Sequence, residues 1–288
     1  MKIIETHIVP AIDEKIRLQE YAVLIFETIP SRSGIKKAIK RKEILLDGQP
    51  ANTSDWISEG QKIELLQADN CQKKTFTLKL QVLYEDEDLA IIDKPSGVPT
   101  SGNYFKTVEN ALPFNLQISD KITALPAPLP AHRLDNPTSG LLICAKTRPA
   151  LTEIQKMFRE KEIEKTYLAI TTGHAPKMAI FDTEIEGKPA VTHIETLQYF
   201  RIGNLEYSLL RVFPETGRTH QIRIHLSENG FPIIGDNQYG GEIQHKFRGL
   251  YLAATGVKFR HPINGEKLTF ELPLPKKFLK IKGLAKSP

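Results

Sequence analysis

Asp135 is the carboxylate best placed to do chemistry in this chain. It sits in His132-Arg133-Leu134-Asp135-Asn136-Pro137-Thr138-Ser139-Gly140, and the apolar run Leu141 to Ala145 follows at once. Asn-Pro and Ser-Gly are turn signals. A short continuous apolar run behind them reads as a strand buried on both faces. The acid therefore stands on a stiff loop at the mouth of a packed sheet. Pro126, Pro128 and Pro130 stiffen the approach by fixing φ. A carboxylate so placed can attack an electrophilic carbon or take up a proton. The plainer reading is an aspartate that only hydrogen-bonds its own turn, and local physics alone favours it.

Other side chains extend or limit that chemistry. Tyr167 lies in Lys165-Thr166-Tyr167-Leu168-Ala169, a strand by its alternation, where a lone tyrosine is ordinarily structural. His220 and His225 fall about 140° apart on a helix and on opposite faces of a strand, which argues against a metal pair. Glu85-Asp86-Glu87-Asp88 cannot converge on one cation from a strand or tight turn, and a solvated loop is expected. His193 reads as structural or exposed. Arg32, Lys36, Lys37, Lys40, Arg41 and Lys42 crowd one short segment without an acid. Its i,i+4 like-charge pairs cost a helix roughly 0.2–0.5 kcal/mol each. An anion such as phosphate would relieve them; a solvated basic face is the alternative.

The elements that position these groups can be read from pattern. Ile16 to Phe26 is apolar enough for a core helix. Ser31 or Ser33 can cap a second helix reaching about Lys42. Ile44-Leu45-Leu46 and Gln61 to Leu66 read as strands, with Asp47-Gly48 as a hairpin turn. Residues 71–82 make a polar linker between a module at 1–70 and a larger domain at 83–288. Tyr104 to Pro130 is loop-rich, with a short helix near Thr107 to Leu112. Pro149 opens a helix carrying Leu151, Ile154, Met157 and Phe158. Thr219 can cap a helix running to Asn229 and stopping at Gly230.

The chain has 288 residues, 40% apolar, with a net charge of +5 and a pI near 9.0. A mild basic excess suits a nucleic-acid partner. Cys71 and Cys144 form neither a disulfide framework nor a zinc spacing, and Cys144 reads as a buried free thiol. Residues 1–10 lack the apolar core of a signal peptide, and no run reaches a membrane span. The expectation is a soluble cytoplasmic protein.

His132-Arg133-Leu134-Asp135-x-x-Thr138-Ser139-Gly140-Leu141-Leu142 resembles the signature of the RluA-type RNA pseudouridine synthases. Three further blocks resemble that family in order: Leu83 to Gly97 ending in Lys94-Pro95-Ser96-Gly97, Lys165 to Ile170, and Gly217-Arg218-Thr219-His220-Gln221-Ile222-Arg223 with Gly235-Asp236-x-x-Tyr239-Gly240. The N-terminal helices and hairpin resemble the RNA-binding domain of ribosomal small-subunit protein four. The resemblance implies an α+β fold: a catalytic domain with a mixed, mostly antiparallel sheet flanked by helices, behind a small N-terminal α/β RNA-binding module.

It also implies isomerisation of uridine to pseudouridine in ribosomal or transfer RNA by a monomer that needs neither cofactor nor metal. Asp135 is the implied catalytic residue, as nucleophile at C1′ or base at C2′. Tyr167 is implied to stack on the flipped uracil. Arg223 is expected to hold Asp135 ionised and oriented, with Arg218 as the competing candidate. Arg133, Arg218, His132, Thr138 and Lys165 are expected at the substrate. Arg32, Lys36, Lys37, Lys40 and Arg41 are expected on the RNA backbone. Two rivals differ in kind. One is a catalytically vestigial RNA-binding or ribosome-assembly protein. The other is an N-glycoside hydrolase, which ordinarily needs a second placed carboxylate.

Overall fold

The computed structural model describes residues 3–12, 14–26, 29, 31–66, 75–240 and 247–281. Cys71, residues 71–74 of the expected linker and residues 282–288 lie outside them. The chain divides into two units, Met1–Gln72 and Lys73–Pro288.

The first unit contains β1 (Ile3–Ile8), α1 (Leu18–Ile25), α2 (Arg32–Lys40), β2 (Ile44–Leu46), β3 (Gln49–Pro50) and β4 (Lys62–Leu66). Leu18 and Ala22 on α1 and Ile35, Ala38 and Ile39 on α2 recur at helical spacing. They bury against Ile44, Ile63 and Leu65 of an antiparallel sheet ordered β1-β4-β2-β3. Ser31 caps α2, its Oγ accepting from the Gly34 amide at 3.1 Å. Asp47 and Gly48 take φ of 50° and 78°, the paired positive values that match a tight hairpin to strand twist. Lys36, Lys37 and Lys40 are exposed on α2. The segment itself carries no acid, but its neighbours supply two: Arg32 pairs with Glu20 of α1, and Arg41 lies 3.8 Å from Glu43.

The second unit is built on a ten-stranded sheet. Its strands are β5 (Gln81–Glu85), β6 (Leu89–Lys94), β7 (Ala124–Pro130), β8 (Ser139–Thr147), β9 (Glu164–Thr172), β10 (Met178–Phe181), β11 (Thr192–Ile202), β12 (Leu205–Pro214), β13 (Leu252–Arg260) and β14 (Lys267–Glu271). The helices are α3 (Val108–Asn115), α4 (Arg148–Arg159) and α5 (Gln221–Glu228). The main path runs β10-β11-β12-β9-β13-β8-β6-β5, with β14 on β13 and β7 on β8. Among the described residues β8 and β13 are the one parallel pair, so the sheet is mixed and mostly antiparallel.

Strands β6 and β8 are buried on both faces, as the apolar run after Asp135 implies. Leu141, Ile143 and Ala145 pack with Ile154 and Met157 of α4. Leu142 and Cys144 pack with Val108, Ala111 and Leu112 of α3. Where β8 meets β13, Gly140 has φ +115°, and a Cβ there would stand 2.0 Å from the Ala254 carbonyl oxygen. Only glycine lets the two backbones approach this closely.

Several sequence expectations are corrected here. The proline cluster is an edge strand, not loop: Leu129 and Pro130 pair with Ala145 and Cys144. An edge tolerates residues that donate no amide hydrogen, so the prolines mask a strand pattern without preventing the strand. The linker does not extend to residue 82. The Phe76 amide donates to the Asn110 carbonyl, the Leu80 amide to Asn115 Oδ1, and β5 begins at Gln81.

The acidic turn is not a solvated loop either. Asp86 accepts from the Tyr84 hydroxyl at 2.6 Å, the Leu89 amide at 2.8 Å and His261 Nε2 at 3.0 Å. Asp88, only 6% exposed, accepts from Lys121 and from Thr147 Oγ1. Glu85 accepts from Lys146, and Glu87 from Ser119. The bond to Asp86 pushes the Tyr84 phenol up to about 12. Asp86, Asp88 and His261 offer ligand-type atoms within 4.8 Å of one another, yet each already serves this donor network. A buried acid cluster of this kind ties strand ends together. Among the described residues, no helix is long and apolar enough to cross a membrane.

Candidate active site

The loop that carries Asp135 is gripped from both sides. Thr138 donates its amide to the Asp135 carbonyl at 3.0 Å, closing the turn. The Lys94-Pro95-Ser96-Gly97 segment holds the next residues. Gly97 donates to the Asn136 carbonyl at 2.9 Å, and Ser96 Oγ to the Pro137 carbonyl at 2.7 Å. Lys94 is fully buried, and its Nζ donates to the carbonyls of Pro95, Val98 and Asn136 at 2.8–3.1 Å. Burial pushes its ammonium down to about 8. This is why a Lys-Pro-x-Gly turn sits beside the cleft: it immobilises the backbone that presents Asp135.

The side chain of Asp135 does not cap its own turn. Its Oδ2 accepts from Arg223 Nη1 at 3.4 Å, and its Oδ1 lies 3.9 Å from His220 Nε2. It is 19% exposed, whereas Arg223 is 6% exposed. Arg223, from α5, is held chiefly by Asp236, with Nε to Oδ2 at 2.7 Å and Nη2 to Oδ1 at 2.8 Å. This two-point bond fixes the plane of the guanidinium and leaves Nη1 for Asp135. Burial works against the charge on Asp236. Hydrogen bonds from Arg223 and from the Gln238 and Tyr239 amides outweigh it and keep that carboxyl below its usual range. The Arg223 guanidinium also lies 4.9 Å above the Tyr239 ring. Of the two candidate arginines, Arg223 meets Asp135; Arg218 is exposed, and its Nε donates to the Pro189 carbonyl at 3.1 Å.

Asp135, His220 and Arg223 line a cavity of about 640 Å³ together with His132, Arg133, Thr138, Lys165, Tyr167 and Arg218. Tyr167 reaches it from β9. Burial, reinforced by the charge of Asp135, pushes the phenol far above its ordinary value, so it stays a neutral aromatic wall. Lys165 donates to the Thr216 carbonyl at 3.3 Å, and burial, with Lys161 nearby, brings it down to about 8. Arg133 is exposed at the rim. Thr138 is buried, and its Oγ1 has no partner among the described residues.

His132, expected at the substrate, lines the cavity, and its ring is tied to the fold. Its Nε2 accepts from the Ile143 amide at 3.0 Å, and its ring lies 4.6 Å from Phe158. Burial pushes the imidazole down to about 3. The neutral ring joins the start of the loop to β8. Its folded-state value lies below its unfolded one, near 6.5, so the unfolded chain binds the extra proton between these limits. Stability is therefore full above about pH 6.5 and falls as pH drops toward 3. A melting series from pH 7 to pH 4.5 should show Tm falling steadily in the parent and much less in His132→Gln; equal slopes would remove His132 as the cause.

The start of α5 also differs from expectation. Thr219 does not cap it; His220 is the N-cap, in the left-handed region at φ 56°. Among the described residues no side chain caps it; Gln221 instead ties down the turn before it, its Oε1 accepting from the Arg218 amide and Thr216 Oγ1 and its Nε2 donating to the Val191 carbonyl. His225 turns away into the core, bonded to Thr192 and the Thr183 carbonyl. Sequence reasoning missed His220, Asp236, Gln238 and Tyr239 as parts of the site, and Lys94 entered it only through the Lys-Pro-x-Gly block that the resemblance puts near the cleft. Asp236 and Tyr239 stood in a recognised block, and their acid and phenol next to Gly235 were the available signal.

The geometry can be compared with known proteins. The family model described as "RNA pseudouridylate synthase" matches residues 88–228. The chain is 31% identical over 290 residues to "Ribosomal large subunit pseudouridine synthase D" of Haemophilus influenzae, covering 89% of this chain and 87% of that protein. It is 34% identical over 273 residues to the protein of the same description from Vibrio cholerae, covering 81% and 82%. Among solved structures, "Human RNA Pseudouridylate Synthase Domain Containing 1" superposes with a TM-score of 0.58 at 25% identity, over 69% of this chain and 84% of that one. "Human RNA Pseudouridylate Synthase Domain Containing 4" gives 0.55 at 25% identity, over 69% and 90%.

Proposed function

The chain belongs to the RNA pseudouridylate synthase family, and from that premise we propose that its substrate is a uridine in large-subunit ribosomal RNA. It is an isomerase: the N1–C1′ bond of uridine is broken, the uracil ring turns, and C5 bonds to C1′. The target follows the bacterial relatives, whose description names the large ribosomal subunit and whose similarity spans more than four fifths of both chains. A cytoplasmic location goes with that substrate.

The observation that carries the catalytic assignment is the carboxylate of Asp135 in the cavity wall, bonded to a buried arginine. An isomerisation gains and loses no atoms, so one ionised carboxylate suffices. Asp135 attacks C1′ as a nucleophile or removes the C2′ proton as a base. Arg223 keeps it oriented in either case. Tyr167 offers the flipped base an aromatic face to replace the neighbours it has lost. Arg133 and Arg218 at the rim, and Lys165 deeper in, suit the phosphates that flank the base. Thr138, in the cavity wall, has an Oγ1 without a partner among the described residues.

The first unit serves as the RNA-holding module in this reading. Exposed Lys36, Lys37 and Lys40 on α2, with Arg41 at its end, form a backbone-directed basic face like that of the domain in ribosomal small-subunit protein four. Arg32, paired with Glu20, is the weakest member of that set. The test is a map of pseudouridines in total RNA from cells with and without the gene. Loss at defined large-subunit positions is expected. Loss confined to transfer RNA, or no loss at all, would overturn the proposed target.

A further inference from the structure

His220 is a strained residue with no role in the reaction as described so far. A residue other than glycine held at positive φ persists only when its surroundings over-determine it, and such residues cluster at working sites. Its side chain ends a directed run of hydrogen bonds that begins at Arg223. Arg223 Nη2 donates to Gln238 Oε1 at 3.5 Å, which sets the orientation of that amide. Gln238 Nε2 then donates to the Tyr239 hydroxyl at 3.1 Å. The Tyr239 oxygen is 3.0 Å from His220 Nδ1. An arrangement in which the phenol gives its hydrogen to Nδ1 satisfies both bonds and puts the proton of the imidazole on Nε2.

Nε2 faces the cavity, 3.9 Å from Asp135 Oδ1. That gap is too long for a hydrogen bond between the two groups. Arg223 meanwhile bonds the other oxygen of Asp135. The five residues thus form a ring that is open at one point, between the His220 N–H and the carboxylate. A cation feeds the donor chain, and each link polarises the next. The N–H at the opening is therefore a stronger donor than a free imidazole's, and it has no acceptor among the described residues.

We infer that His220 Nε2–H donates to the O2 carbonyl of the uracil as it departs, with Gln238 and Tyr239 as positioning residues. This rests on the pseudouridine-synthase reading above. When the N1–C1′ bond breaks, its electron pair goes to the uracil and spreads from N1 onto O2 and O4. His220 supplies a hydrogen bond to that charge and keeps its proton. The pair is returned when C5 bonds to C1′; C5 then releases its proton to solvent, and N1 takes one up. A fixed donor aimed at developing charge needs no reorganisation at the moment of reaction.

The test follows single-turnover breakage of the N1–C1′ bond, read as loss of the starting nucleoside after digestion, in one large-subunit RNA fragment transcribed with uridine or with 5-fluorouridine, whose C5 has no proton to release. Fluorine makes the departing base a weaker base that needs less help from a donor. His220→Asn is the first variant, because asparagine tolerates the left-handed backbone; Tyr239→Phe, which frees the tautomer, is the second. On uridine RNA, His220→Asn should slow conversion by about 100-fold, the usual scale for losing one such donor. Tyr239→Phe should slow it by about tenfold, and RNA affinity should hold within about twofold for both. On 5-fluorouridine RNA the loss in His220→Asn should shrink at least about tenfold. An equal loss on both RNAs would mark His220 as merely structural and overturn the inference, as would an unchanged rate on uridine. Failure of the parent protein to convert the uridine RNA would overturn the substrate reading and this inference together.

Discussion

Asp135→Asn is expected to leave the protein folded and bound to RNA while ending tritium release from RNA containing 5-tritiated uridine. The loss should be about 10⁴-fold or more, the scale seen when a group that acts on the reacting atoms is removed. Asparagine has the shape of aspartate and can still accept from Arg223, so the turn closed by Thr138 and gripped by Lys94 should survive. What is lost is the charge, and with it both possible roles, since an amide neither attacks C1′ nor removes a proton from C2′. The measurement needs the release assay beside a binding assay on the same RNA. Turnover within about tenfold of the parent would remove Asp135 from the centre of the site. Release of free uracil would instead point to hydrolysis.

Asp236→Ala should be the most damaging change to the site's framework. Asp236 and Arg223 have side chains 1% and 6% exposed. Removing one partner of so buried a pair leaves an uncompensated charge and costs about 3–5 kcal/mol. Thermal unfolding should therefore move down by many degrees, and turnover should fall even at temperatures where the variant is folded. The reason for the second effect is geometric. Without its two-point bond the guanidinium is free to close fully on Asp135, which would neutralise the carboxylate and turn it from the cavity. Asp236→Asn separates the two effects by keeping the acceptor oxygen while losing the charge. It should recover part of the Tm and little of the rate. A Tm unchanged within about one degree in Asp236→Ala would show that Arg223 is held by other means.

The part of the site made by neighbours in sequence was legible before any coordinates. A turn followed by an apolar run placed Asp135 correctly, and the same pattern told that β8 is covered on both faces. The cap at Ser31 and the Asp47-Gly48 turn were legible for the same reason: they are local chemistry. What failed was non-local. The partner that fixes Arg223 is Asp236, thirteen residues on and across a helix end. Its block was recognisable in the sequence, but its pairing with Arg223 was not. The motif put His132 at the cavity, which it lines, but not the partners that hold its ring, Phe158 of α4 and the β8 amide at Ile143. The acidic turn looked solvated because its bases, Lys121, Lys146 and His261, come from 33 to 175 residues away. The β7 strand was hidden by its own prolines, which an edge position permits.

The place of β13 has a consequence for how the enzyme comes into being. It is inserted between β8 and β9, although both precede it in the chain by roughly a hundred residues. Asp135 leads into β8, and Tyr167 lies on β9, so the two halves of the site are joined through a strand made late. While the chain is being synthesised, residues up to 240 can already contain every side chain named in the cavity, yet the two walls have no shared backbone. Closing such long-range pairings is slow compared with forming hairpins and helices. Chains of increasing length, released from the ribosome and assayed in turn, should therefore be silent until residues 252–260 are present and then gain activity in one step. A synthase assembled in this order would remain switched off for most of its own translation.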